Sequence, residues 1–230
     1  MTVSYDDNVD AVYLKLGDET PAGIWTILIA PPMTLWTIQS EAAWTELQKT
    51  GVLRATRGHA REPSFLPAYE WMTRQMRSRL GPAPEPDSLP IWAWYQFDGK
   101  RKKPDLRQRG HVEPGETGVR MELHYPSDRV VLSDFSLWHY VLNYWYLPAS
   151  EQEGDAFERE LSNRGLSFYT QKPLPNPVYH SAVLASWDRI FDLDWAEPDI
   201  SVPRTQKSIQ ATVWEINLEQ VRNVQVFIGR

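Results

Sequence analysis

Residues Ser133 to Pro148, SDFSLWHYVLNYWYLP, decide the reading of this chain. They follow the short apolar run Val130-Val131-Leu132 and open with Ser133 and Asp134, residue types that cap helix N-termini. Beyond them Phe135, Trp138, Val141, Leu142 and Trp145 recur at three- and four-residue spacing, the period of a helix that buries one face. His139 and Asn143, one turn apart, project from one side of that helix. Pro148 is expected to stop it. The stretch is therefore a strand-to-helix unit carrying a polar pair, and fold and site are expected to centre on it.

Working outward, Leu35-Trp36-Thr37-Ile38 predicts a strand, Ser40 a cap, and Glu41–Lys49 a helix ended by Gly51. A second helix is expected over about Pro67–Leu80, then a rigid proline loop from Gly81 to Pro86. Ile91–Phe97 and Val119–Tyr125 alternate apolar residues as strands do. Residues 151–165 predict an amphipathic helix with Phe157 and Leu161 inward, and Val178–Phe191 a further helix. Strands over Ile209–Ile216 and Val224–Ile228 close the chain. Helices and strands are interspersed without a βαβ rhythm, so the expected fold class is α+β, with mainly antiparallel sheets and packed helices.

Residues 1–32 read differently, as strand, turn and strand over Thr2–Tyr5, Asp6–Asn8 and Ala11–Leu16. A second turn at Gly17–Glu19 precedes an expected strand over Ile24–Ile29. The expected organisation is an N-terminal β-hairpin extension or fused fragment over 1–32 and a single α+β domain over 33–230. An alternative is that Met33 is the native start.

With 230 residues, 42% of them apolar, the chain has material for a sizeable core. It holds 11 Trp and 10 Tyr against 7 Phe, side chains that serve both cores and stacking sites. A net charge of −6 argues against coating nucleic acid indiscriminately, yet leaves room for a local basic patch. The absence of cysteine removes disulfides, thiol catalysis and Cys-based metal sites, and fits a reducing cytosol. No apolar run reaches the roughly 20 residues of a membrane span, and the acidic N-terminus is unlike a signal peptide. A cytoplasmic location and no membrane partner are expected.

The strongest charge feature is KRKKPDLRQR at 100–109, with six basic residues directly after the aromatic strand Trp92–Phe97. Cations hold phosphate while aromatic faces hold bases, so this pairing suits a nucleotide or single-stranded nucleic acid. Lys103, Arg107 and Arg109 are the candidate phosphate ligands, with Arg107 and Arg109 suited to bidentate grip, and Trp92, Trp94 and Trp138 are the candidate stacking surfaces. His139 with Asn143 can hold a water or a ligand hydroxyl, the histidine titrating near neutrality. The five histidines show no short metal-ligand spacing, so no metal site is expected. There is no P-loop, G-x-G-x-x-G or G-x-S-x-G.

Three resemblances add to this. The segment YDDNVDAVYLKL at 5–16 is similar to the opening hairpin of a family of very small bacterial β-proteins. From Met33 to Arg230 the chain resembles a bacterial and phage-associated domain-of-unknown-function family. The motifs that carry it are LWTIQ at 35–39, GVLR at 51–54, LPAY at 66–69, IWAWY at 91–95 and KPDLR at 103–107, then SDFSLWHYVLN at 133–143, FDLDW at 191–195 and SIQATVWE at 208–215. The opening strand, helix and Gly-Val-Leu turn, with the closing ATVWEINLEQVRNV, also resemble ADP-ribosyltransferase-like domains in layout. That resemblance implies a split two-sheet core with NAD across the split. It departs at the chemistry: Thr37 stands where a His or Arg is expected, and Gln210 or Thr212 where the glutamate is. Glu215 falls on the opposite strand face from Gln210, Thr212 and Trp214. In that reading Arg107 holds phosphate, Trp92 or Trp94 stacks, and His139 and Gln210 orient the ribose. A neutral Gln210 would hydrogen-bond a ribose without stabilising a developing cation by charge. Two functions follow: a module that binds an anionic small molecule, nucleic acid or protein partner, or a diverged NAD-using transferase.

Overall fold

The computed structural model describes residues 2–6, 11–15, 31–59 and 62–230. β1 (Thr2–Asp6) and β2 (Ala11–Lys15) pair antiparallel as a hairpin. The expected turn residues 7–8 and 17–19 and the strand over 24–29 lie outside the described residues.

β3 (Pro32–Ser40) takes in the expected strand Leu35–Ile38. Ser40 accepts the Ala43 N–H at 3.2 Å, and Gly51 at φ 80 closes α1 (Glu41–Thr50), so the serine cap and glycine stop work as read. The chain continues through β4 (Val52–Thr56), α2 (Leu66–Leu80), β5 (Ser88–Leu89), β6 (Ile91–Gln96), β7 (Thr117–Pro126) and β8 (Val131–Asp134). Then come α3 (Phe135–Leu142), α4 (Glu151–Asn163), α5 (Pro177–Ser186), β9 (Ile209–Val213), β10 (Glu215–Asn217) and β11 (Val221–Ile228).

Six strands form one sheet in the order β11-β7-β3-β6-β9-β8, and three form another in the order β10-β4-β5. Every pairing among them is antiparallel, so the fold is α+β. Register fixes which side chains share a face. Leu35, Ala93, Met121, Leu123 and Ala211 point to one side, where Leu47 of α1, Leu53 of β4 and Ile216 of β10 complete a core. On the other side Val131 and Trp92 meet Trp71, Met72 and Met76 of α2 and Leu137, Trp138 and Val141 of α3. Burying a side chain of this size contributes on the order of 1.5–3 kcal/mol, and two such layers hold the sheet between them.

The structure corrects three expectations. α3 ends at Leu142, with Asn143 as its cap, and Pro148 lies beyond the helix. Tyr144 takes a left-handed φ of 58, which turns the chain before the proline. The expected strand Ile209–Ile216 breaks at Trp214, and β9 and β10 enter different sheets. The expected helix Val178–Phe191 is α5 followed by a tighter 3-10 turn over Trp187–Phe191.

Candidate functional site

The basic loop leaves β6 through a two-residue turn, Asp98 at φ 48 and Gly99 at φ 69, closed by the Phe97–Lys100 bridge. Both positive φ values suit an Asp-Gly pair. Gly99 is required twice over, since a Cβ there would sit 2.3 Å from the Thr205 carbonyl oxygen. Gly99 N–H donates to the Lys207 carbonyl at 3.1 Å and Asp98 N–H to Ser208 Oγ at 3.0 Å, fixing the turn to the chain ahead of β9.

The far end of the loop is held from below. Arg120 of β7 is 8% exposed and donates to the Pro104 carbonyl at 2.7 Å and to Gln225 Oε1 at 2.5 Å. Burial lowers its guanidinium, while Glu122 and Asp105 oppose that effect. Arg101 donates to the Tyr95 carbonyl and, at 3.1 Å, to the Thr34 carbonyl, and its guanidinium lies 3.6 Å over the Tyr95 ring. The loop is therefore a braced platform with Lys100, Arg101, Lys102, Lys103, Arg107 and Arg109 all on its exposed surface.

Of the expected phosphate ligands, Arg107 is already engaged. Its Nη2 lies 2.6 Å from Asp105 Oδ2 and its Nε 2.9 Å from Oδ1. The side-chain hydrogen bonds from Arg107 hold the Asp105 carboxyl well below the usual carboxylate range, and the same pairing raises the guanidinium. Lys100, Lys102, Lys103 and Arg109 have no carboxylate partner among the described residues.

The aromatic residues divide into two groups. Trp92 lies 4.7 Å from Trp138 and 6.2 Å from Tyr69, between the sheet and helices α2 and α3. Trp92 and Trp138 are thus packing residues. Trp94 is half-buried and meets Phe97 edge-on at 5.0 Å and Phe135 at 4.8 Å, and Phe135 in turn meets His139 at 4.9 Å. Phe97, Trp94, Phe135 and His139 form a strip from the base of the basic loop to the first turns of α3. Lys102 Nζ stands 6.0 Å from the Phe97 ring, so strip and loop are one surface.

His139 is exposed on this strip, and its Nδ1 donates to the Phe135 carbonyl at 3.0 Å, leaving Nε2 outward. Asn143 Nδ2 donates to the His139 carbonyl at 2.8 Å and serves the helix end. Gln210 is 5% exposed, in register with Trp94 and Ser133, and donates to Ser133 Oγ at 3.2 Å beneath the strip. Neither Gln210 nor Arg107 is presented to a ligand beside His139. Phe97, Phe135 and Lys102 were not singled out from sequence; Phe135 read as an inward helix position and Lys102 as one of a run.

Thr37, at the departure from the transferase pattern, is fully buried and donates to the Trp92 carbonyl at 2.8 Å. Glu215 sits on β10, 2.8 Å from Arg54. Among the described residues no three His, Cys, Asp or Glu side chains gather as metal ligands, and no helix is long and apolar enough to cross a membrane.

Neither the curated proteins nor the solved structures contain a match to this chain. Residues 34–222 match the family described as Domain of unknown function (DUF3841), a span that includes every motif from LWTIQ to SIQATVWE. The chain belongs to that family.

Proposed function

We propose that the protein binds a single-stranded nucleic acid across the basic loop and the aromatic strip. The carrying observation is their continuity, with Lys102 beside Phe97 and Phe97 against Trp94. Lys100, Lys102, Lys103 and Arg109 take the backbone phosphates, and Trp94, Phe135 and His139 offer ring faces and edges to the bases. Base-on-aromatic stacking contributes about 1–3 kcal/mol per base and tolerates any sequence. The net charge of −6 confines attraction to this patch, because the rest of the surface repels a polyanion. Titration of a labelled oligonucleotide at several salt concentrations tests the reading; salt-independent or absent binding refutes it.

A second reading, a diverged NAD-using transferase, draws support from a different feature. β3 and β6 pair at the single position Trp36–Trp94, and a cavity of about 390 Å³ lies beside Ile38, Gln39, Arg54, His59, Ile91 and His111. In this reading a nucleotide occupies that cavity. Arg54, however, is already paired with Glu215 at 2.8 Å, so the cavity offers less free positive charge than the loop. Calorimetric titration with NAD, repeated on His111→Ala, tests it: heat lost in the variant supports the cavity, and no heat dismisses it.

A further inference from the structure

The turn that ends α3 builds a second, chemically different site. Tyr144 holds a left-handed φ of 58, a conformation that a non-glycine residue keeps only when its surroundings hold it there. Its hydroxyl sits 2.6 Å from His180 Nδ1 and accepts the Leu174 N–H at 3.0 Å, which holds the turn in place. The reversed chain then returns on itself: Trp145 N–H donates to the Tyr140 carbonyl at 2.8 Å, and the two rings meet edge-on at 6.0 Å.

α4 supplies the facing wall. Gly154 stands in the body of that helix, where glycine is a poorer helix former than alanine. A Cβ there would lie 3.2 Å from Pro148 Cγ, so the glycine lets the helix close onto the turn. One turn later Glu158 accepts the Tyr169 hydroxyl at 2.9 Å, and this bond holds the 57%-exposed Tyr169 ring 6.4 Å from Trp145.

The result is a cavity of about 290 Å³ walled by Tyr140, Trp145, Tyr146, Phe168, Tyr169 and Glu158, with Pro148 and Gly154 at the edge. Five aromatic rings and one carboxylate line it, and among the described residues no cationic side chain does. Ring faces carry negative quadrupole charge and attract a cation within about 6 Å. The hydroxyls of Tyr146 and Tyr169 donate to Glu153 and Glu158, which fixes the two rings against α4. A quaternary ammonium has no N–H to satisfy, so ring surfaces and one carboxylate are enough to hold it.

We propose that this cavity is an aromatic cage for a quaternary-ammonium group. The same chemistry occurs in a choline-type small molecule and in a trimethylated lysine side chain. Burial raises the Tyr140, Tyr146 and Tyr169 hydroxyls, so these walls stay neutral at physiological pH.

The test is calorimetric titration of the full chain with choline, Nε-trimethyl-lysine, lysine and 3,3-dimethylbutan-1-ol, the last a neutral copy of choline. Choline or trimethyl-lysine is expected to bind at least about tenfold more tightly than its uncharged or unmethylated counterpart. The stronger of the two identifies the source. Glu158→Gln keeps the cage shape and is expected to weaken binding several-fold. Trp145→Ala is expected to abolish it, and circular dichroism and the melting temperature report whether that variant remains folded. Equal affinity for the neutral alcohol, or no heat from either quaternary ligand with a folded wild-type chain, overturns the proposal.

Discussion

Lys207 Nζ lies 3.0 Å from Asp134 Oδ2, and both side chains are sealed from water, at 0% and 2% exposure. The ammonium also donates to the Trp195 carbonyl at 2.7 Å, while Asp134 Oδ1 accepts the Ser136 N–H at 2.8 Å as the cap of α3. One ion pair therefore ties the segment before β9 to the helix that carries His139 and to the strip beside the basic loop. Breaking a buried pair leaves the other charge stranded, at about 3–5 kcal/mol. Asp134→Ala, which also removes the cap, is expected at or above the upper end of that range in denaturant titration. The double change Asp134→Asn with Lys207→Met is expected to cost clearly less than the two single changes added together.

Tyr125 sets an alkaline limit. Its hydroxyl is buried and donates to the Glu215 carbonyl at 2.7 Å, and burial, reinforced by Glu215, pushes its pKa up from 10.0 to about 12. The folded state thus favours the neutral phenol. That contribution is complete below pH 10 and fades as pH rises toward 12. A shift of two units corresponds to at most about 2.7 kcal/mol. Tyr125→Phe is expected to be less stable than wild type at pH 8, by about 1 kcal/mol, and to lose less stability between pH 10 and 12. Chemical denaturation at the two pH values checks both.

The two tryptophans of β6 should separate function from stability. Trp92 is enclosed by Tyr69 and Trp138, and Trp92→Ala is expected to cost about 3–5 kcal/mol. Trp94, half-buried on the strip, should cost less in stability when cut to alanine, yet reduce oligonucleotide affinity by about 1–3 kcal/mol. Thermal melts and binding titrations on the pair decide this.

Much of the fold was readable because local signals agreed. Ser40 and Gly51 bracket α1, and the alternation in β6 and β7 marks their two faces. The end of α3 was not readable, because Tyr144 stays in a left-handed turn through a bond to His180, 36 residues away. Nor was the break at Trp214, whose flanking residues look like one continuous strand until β10 finds β4. At the site, the basic run was plain, but the sequence could not show that Arg107 would turn back onto Asp105 two residues away. His139 and Asn143 have the expected spacing, yet each hydrogen-bonds a carbonyl of their own helix. Trp92 and Trp94 share a strand face; Tyr69 of α2 and Trp138 of α3 pack on Trp92, whereas Trp94 meets Phe135 from the start of α3 and Phe97 from the loop.

Gly99 couples loop geometry to binding. Gly99→Ala places a Cβ 2.3 Å from the Thr205 carbonyl oxygen at a positive φ, so the turn must shift. A stability loss of about 1–3 kcal/mol is expected, together with weaker oligonucleotide binding although no cation is removed. Denaturant titration and anisotropy on the same preparation check the pair of effects.

The most direct measurement is the salt dependence of single-stranded oligonucleotide binding, followed by fluorescence anisotropy on wild type and on the Lys102→Ala, Lys103→Ala double variant. Four phosphate contacts at about −0.7 each predict a wild-type log–log slope near −3. The variant is expected to bind more weakly and to lose about 1.4 from that slope. Equal affinity and equal slope in the two proteins would contradict the assignment of the basic loop.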